Sequence, residues 1–526
     1  MSTFLDLIDL ASQAVGGAVV AASDEFFAPK ENLIKPGEAQ YIADKYTDRG
    51  KWMDGWESRR RRTPGHDWVI IRLGVPGAVR GVVVDTRHFR GNHPESCSID
   101  ACALPTNASI DDVLDESVSW REILPKSSLK GHTSNKFEII DGSGRDAGDS
   151  LELGTRLTHV RLNIHPDGGI ARLRIHGEVI PDWGHIDFRG GRIDLAAVGN
   201  GGRVLACSDM FFGSSHNLIM PGLPRNINEG WETRRRRGPG HDWVIVKLGA
   251  HGTLDQAVVD TTRYIGNAPG SCSIEACMVG SDRADDAGYL TSDYCSWQTV
   301  LPETRLQPNV RQVFDNELAA ETAFFSHVRL NIYPDGGVAR LRLFGTTKRS
   351  ASIRAALVKI NSRSDSEFEQ DMKACCGAAT WVQAMVEARP FGDVASMVRA
   401  ADASWDKLDK FDWLEAFAAH PRIGEKTDGD DQSSSWSKTE QSGMARASDE
   451  VREQLVEANR QYYDHFGHNF IVYAAGKSAE QMLDLLRQRL DNEAGDELEI
   501  AADEQRKITR MRLGKLLRSM SSGNKK

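Results

Sequence analysis

Between Gly55 and Trp68 the chain reads GWESRRRRTPGHDW, which sets one carboxylate, Glu57, four consecutive arginines and a His66-Asp67 pair within a dozen positions. An arginine grips a planar carboxylate through two parallel N–H donors. A neighbouring Glu offsets the excess charge, and a His-Asp pair handles a proton or, as the alternative, helps hold a divalent metal. Alone, such a run reads as a solvated turn or a phosphate-binding arm. It is not alone: GWETRRRRGPGHDW recurs with Glu232, Arg234 to Arg237, His241 and Asp242, and the step from His66 to His241 is 241 − 66 = 175 residues. A floppy tail need not keep that frame after duplication. The formal net charge of −10 and a pI near 5.9 also oppose a nucleic-acid partner, so the set suits a small anion.

The duplication extends further. Asp85 in VVVDT matches Asp260 in AVVDT, Ser96-Cys97-Ser98-Ile99 matches Ser271-Cys272-Ser273-Ile274, and THVRLNIHPDGGIARLRIHG (158–177) returns as SHVRLNIYPDGGVARLRLFG (326–345). Within each copy the runs WVIIRLG, VRGVVVDT, SCSIDAC and HVRLNI have strand character, with no helix expected between them. The Asp-Gly-Gly in NIHPDGGIARLRI predicts a two-stranded hairpin, with Asp167 and Asp335 as turn residues. Each copy is therefore expected to be an antiparallel β-sandwich of jelly-roll type. His159 and His327 open a strand and are read first as buried, hydrogen-bonded histidines. Cys97, Cys102, Cys272 and Cys277 are read as small apolar groups. No CxxC pair suits zinc. The organisation expected is a first repeat over 1–178, a Gly-rich connector over 179–202, a second repeat over 203–345, a short linker over 346–351 and an all-α domain over 352–526.

The last part changes composition to amphipathic helices, among them VASMVRAADASWDKL, FDWLEAFAAH, WSKTEQSGM and DEVREQLVEANRQYYDHF, with only FIVYA (470–474) non-helical. Pro421 disfavours helical geometry at His420, so that imidazole is placed at a helix C-terminus, where the dipole favours its protonated form. Ser437 and Glu440 lie three apart on one helix face. A titratable His and a carboxylate meeting in a cleft are what proton transfer needs, although a Ser-x-x-Glu is by itself an ordinary capping box.

Taken in order, HPRIGEK (420–426), SKTEQ (437–441), NRQYYDHFGHNFIVYAAG (459–476) and RKITRMRL (506–513) resemble the family of 2-oxo-4-hydroxy-4-carboxy-5-ureidoimidazoline (OHCU) decarboxylases. The resemblance implies cofactor-free decarboxylation yielding (S)-allantoin. His420 would be the acid/base, Pro421 would shape its turn and Glu440 would orient it or exchange its proton. Ser437 and Gln441 would bond the substrate's ring and ureido groups. Phe470, Ile471, Val472, Tyr473 and Ala474 would offer backbone groups, and Arg512 would clamp the carboxylate, with Arg510 as its rival. His468 and Asn469 depart from the family's usual residues after the FG pair.

The doubled marks GWE[ST]RRRR, PGHDW, VVD, SCS and HVRLNIxPDGG resemble allantoicase repeats over roughly 20–345. That implies hydrolysis of allantoate to urea and (S)-ureidoglycolate, with homo-oligomers common. His66, Asp67, His241, Asp242, Glu57 and Glu232 are the candidates for water activation and proton transfer, Arg61 and Arg236 for holding the carboxylate, and a divalent metal stays open for this part. The competing reading makes the sandwiches carbohydrate-type binding modules. Those read ligands with exposed aromatics, whereas the marks here are Arg, His, Asp and Glu. The N-terminal stretch lacks a basic lead and carries Asp6 and Asp9, so no signal peptide or membrane span is expected, and cysteine usage suits a cytoplasmic protein.

Overall fold

The computed structural model describes residues 4–105, 108–116, 118–139, 155–184, 186, 191–319, 323–420, 448–474 and 477–521. The chain divides into two compact units, one built from 1–182 with 192–347 and the other from 183–191 with 348–526.

The first unit holds both repeats. Repeat one runs β1 (Ile8–Asp9), β2 (Ala18–Ala22), β3 (Tyr46–Thr47), β4 (Gly50–Lys51), β5 (Trp56–Glu57), β6 (Asp67–Asp85), β7 (Ser96–Cys102), β8 (Arg121–Ser128), β9 (Ser134–Glu138), β10 (Leu157–His165), β11 (Gly169–Ile170) and β12 (Arg172–Val179). Repeat two runs β13 (Ile193–Asp194), β14 (Arg203–Cys207), β15 (Trp231–Glu232), β16 (Asp242–Gly252), β17 (Gln256–Asp260), β18 (Ser271–Cys277), β19 (Gln298–Arg305), β20 (Arg311–Phe314), β21 (Phe325–Tyr333), β22 (Gly337–Val338) and β23 (Arg340–Gly345). In repeat two the antiparallel sheets are separate, β14-β16-β21-β18-β19 and β13-β23-β17-β20. In repeat one β6 is long enough to serve both: its first half pairs with β2 and β10, its second half with β9 and β12. Alternation sends Val69, Ile71, Val82, Val84, Ile99 and Leu162 into the apolar interior. Within 179–202, Ile193–Asp194 pairs with Phe344–Gly345, and Leu195 and Ala196 are buried.

The fold departs from the sequence pattern in two places. The PDGG block is not a hairpin. β10 already has β6 on one edge and β7 on the other, so β12 cannot pair with it and joins β6 and β1 instead. The corner between them is the short β11, which pairs with β5. Gly169 permits that crossing, because a Cβ there would stand 2.0 Å from the Phe89 ring. The repeats also contain short helices, Ile110–Leu114 capped by Ser109 and Ala287–Leu290 capped by Asp286.

The second unit is helical over Lys348–Asn361, Asp365–Cys375, Ala379–Glu387, Val394–Trp405, Lys410–Ala418, Asp449–Phe466, Ala479–Arg489 and Ala494–Ser521. Capping boxes at Ser364, Asp393, Asp409 and Ser478 start four of these. The expected helix WSKTEQSGM lies outside the described residues. Residues 470–474 are non-helical, as expected. Among the described residues no helix is long and apolar enough to cross a membrane.

Candidate functional site

The arginine runs are tied down at their first and third members, in the same way in both copies. Arg59 donates from its amide and its Nε to Asp24, and Arg234 donates from its amide to Asp209. The amide of Arg61 donates to Asp167 Oδ2 at 2.8 Å and its guanidinium to Asp67 Oδ1 at 2.8 Å. Arg236 repeats both contacts, with Asp335 and Asp242. Ser23 and Ser208 each donate to the same aspartate oxygen at 3.0 Å. Trp56 and Trp231, fully buried, donate to the carbonyls of Asp24 and Asp209. Asp167 and Asp335 thus do more than turn the chain: they fix the loops. The second and fourth members, Arg60, Arg62, Arg235 and Arg237, are exposed and form no hydrogen bond or ion pair among the described residues.

The predicted constellation separates into different surroundings. Asp67 and Asp242 are 2% and 1% exposed and face their arginines inward. His66 and His241 stand just before the strands that open at Asp67 and Asp242, and their rings pack against His165 and Tyr333. Among the described residues no group of three or more His, Cys, Asp or Glu is placed to bind a metal. Glu57 accepts from Asn92 at 2.7 Å, and Glu232 from Asn267 at 2.5 Å. Burial raises the Glu57 carboxyl above the usual carboxylate range, against the opposing pull of the Asn92 hydrogen bond.

His66 and His241 instead join a polar line on the face of β6, β10 and β7 and of β16, β21 and β18. In repeat one the His66 ring packs 4.8 Å from His165, whose Nε2 lies 3.3 Å from Ser98 Oγ. Asn163 donates to Ser98 and to Asp100, and Arg161 donates to Asp100 at 2.9 Å. In repeat two His241 packs 4.6 Å from Tyr333, whose hydroxyl lies 3.1 Å from Ser273. Asn331 donates to Ser273 and Glu275, and Arg329 to Glu275. This second line borders a cavity of about 520 Å³, and the Oδ1 of Asn331 is buried beside it without a partner. Sequence reasoning passed over Ser98, Asp100, Arg161 and Asn163 and their counterparts. The signal was present, because SCS and HVRLNI recur in both copies at alternate strand positions that share one face. His159 and His327 are buried against Thr158 and Ser326, and burial lowers His159 to about 4. Burial likewise raises Cys97, Cys102 and Cys272 to about 12, as apolar packing requires.

In the helical unit His420 follows the last turn of Lys410–Ala418, and its amide donates to Phe417. Asn469 donates to the carbonyls of His420 and Phe417, which ties that helix end to the segment 470–474. Three backbone groups of this segment are already engaged: Ile471 carbonyl by Arg489, and Tyr473 amide and carbonyl by Glu504 and Lys477. Phe470, Ile471 and Val472 are buried, and Tyr473 and Ala474 half-buried. Arg512 is 3% exposed and reaches the Ala374 carbonyl, whereas Arg510 is half in solvent on Asp402. Pro421, Ser437, Glu440 and Gln441 lie outside the described residues.

Two antiparallel sandwiches, each bearing a polar line of Ser, Asn, Arg and carboxylate on one sheet, together with a separate helical unit, define a protein with a tandem β part and an α part. The family model described as allantoicase repeat matches residues 8–180 and 193–348, and the one described as OHCU decarboxylase matches residues 361–514. The chain belongs to the allantoicase family and carries an OHCU decarboxylase domain after the repeats. It is similar to a probable allantoicase of Pseudomonas aeruginosa (strain UCBPP-PA14), 46% identical over 65% of this chain and 97% of that protein. It is also similar to the crystal structure of allantoicase from Saccharomyces cerevisiae, 34% identical with a TM-score of 0.52 over 64% of this chain and 92% of that one. A crystal structure of OHCU decarboxylase in the presence of (S)-allantoin is 35% identical, covering 28% of this chain and 98% of its own, with a TM-score of 0.26.

Proposed function

We propose that the sandwich unit hydrolyses allantoate to (S)-ureidoglycolate and urea, and that the helical unit decarboxylates OHCU to (S)-allantoin without a cofactor. The observation that carries the first half is the convergence of the duplicated marks on one polar sheet face in each repeat. His66 serves proton transfer there, and Glu57 serves it from its Asn-bonded corner, with His241 and Glu232 at the matching positions of the second repeat. Asp67 and Asp242 act with Arg61 and Arg236 by holding the loops. The exposed Arg60, Arg62, Arg235 and Arg237 are the cations left to meet the substrate's carboxylate.

In the helical unit His420 acts as acid/base with Glu440, and Pro421 sets its turn. Ser437, Gln441 and the segment Phe470 to Ala474 bind the ring and ureido groups, and Arg512 takes the carboxylate. The bond from Asn469 to His420 supports this reading, since it holds the histidine beside that segment. The same reading makes the protein a cytoplasmic homo-oligomer acting on small molecules. The test is full-length protein assayed for urea release from allantoate, with and without chelator, and for optically active allantoin from OHCU. Urea and (S)-allantoin are both expected, and the chelator arm reads out any metal requirement. His420→Ala or Glu440→Ala abolishes stereoselective allantoin formation; undiminished rates in both variants sink the second assignment.

A further inference from the structure

The polar lines of the two repeats correspond position by position, with Glu275 standing where the first repeat has Asp100, and they differ in chemical type at the end that carries His165 or Tyr333. His165 and Tyr333 occupy the same register position, opposite Ser96 and Ser271, and each reaches the hydroxyl of the equivalent serine, Ser98 or Ser273. On the neighbouring strand Leu124 pairs with Ile99 as Leu301 pairs with Ile274, which places Lys126 where the second repeat has Glu303. One face therefore ends in two imidazoles and a cation, the other in an imidazole, a phenol and an anion.

Resting on the allantoate reading, we infer that water activation is confined to the first repeat, with His165 as its general base and Ser98 as the residue that positions its ring. A phenol has no basic nitrogen to take a proton from water, whereas a neutral imidazole has one, so at this register position only the first repeat carries a base. Burial first, and then the facing His66 ring from the approach to β6 and the Lys126 ammonium from β8, hold His165 below the ordinary imidazole range, which keeps it a proton acceptor near neutrality. Lys126 also suits the substrate anion, while Glu303 repels it. In the step itself the oxygen of water bonds to the carbon bearing the two ureido groups, and the bond from that carbon to one ureido nitrogen breaks. The proton taken by His165 passes to that nitrogen, so urea leaves neutral and the base is restored.

Full-length H165Y, which copies the second repeat, and H165Q, which keeps a hydrogen-bonding side chain for Ser98, test this. Both are expected to lower kcat for urea release by about a hundredfold or more, with KM within about threefold of wild type. The acid limb of the wild-type pH profile, which falls below the range of an ordinary histidine, is expected to vanish in H165Q. Urea release by both variants within about threefold of wild type overturns the inference. A wild-type protein that releases no urea overturns the allantoate reading and this proposal with it.

Discussion

In each run of four arginines the first and third side chains are committed to aspartates, and this sets what their removal does. Arg61→Ala leaves Asp67, 2% exposed, without its cation, and the expected cost is about 1–3 kcal/mol in denaturant unfolding of the sandwich unit. Arg236→Ala is expected to cost the same, and the two to add, because the pairs share no partner. Arg60→Ala and Arg62→Ala are expected to raise KM for allantoate while leaving stability unchanged. Glu57 yields a prediction in pH. Its carboxyl titrates higher in the folded chain than in the unfolded one, so its contribution is fully present below the ordinary carboxylate range and is lost as pH rises through the raised value. Glu57→Gln should flatten that part of the stability profile and be at least as stable as wild type at neutral pH, read by urea titration at several pH values. The Glu, Arg, His and Asp of the doubled GWE[ST]RRRR and PGHDW marks were legible from duplication alone. Their pairing was not: His66 and Asp67 are neighbours in the chain, but the first packs against His165 and the second is held by Arg61.

At the scale of elements, the corner after β10 depends on absent side chains. Gly169→Ala drives a methyl into the Phe89 ring, and Gly337→Ala does the same to Tyr264, each contact being 2.0 Å. Each substitution is expected to cost about 1–3 kcal/mol of sandwich stability, measured by thermal unfolding. In the helical unit Glu497 is fully buried and is held by Arg489, Tyr462 and Asn492, and Arg489 also grips the Ile471 carbonyl. Arg489→Met strands that carboxylate, and about 3–5 kcal/mol of the unit's stability is expected to go with it. The strands were readable because period two and β-branched runs mark them. The corner was not, since whether β12 pairs with β10 depends on which strands already flank β10, and that is a property of the assembled sheet rather than of the segment. The helices were readable from their apolar stripes, yet Arg489 and Glu497 carried no local sign that they meet in the interior.

At the scale of the molecule, two units with separate apolar interiors are expected to unfold in two calorimetric transitions. Their activities should also part cleanly: His420→Ala removes allantoin formation and leaves urea release at the wild-type rate. The composition shift after residue 345 made this division visible in the sequence, because strand-type alternation gives way there to helical periodicity.

The hydrogen bonds from the Arg61 and Arg236 amides to Asp167 and Asp335 join positions 106 and 99 residues apart. Such a bond exists only when the first and last parts of a repeat are brought together. These two amides sit in surface loops, where exchange with deuterated water is normally quick. Bonded as they are, they should exchange slowly, and their loss of protection would time the opening of each repeat separately, making the arginine runs built-in clocks of sandwich closure.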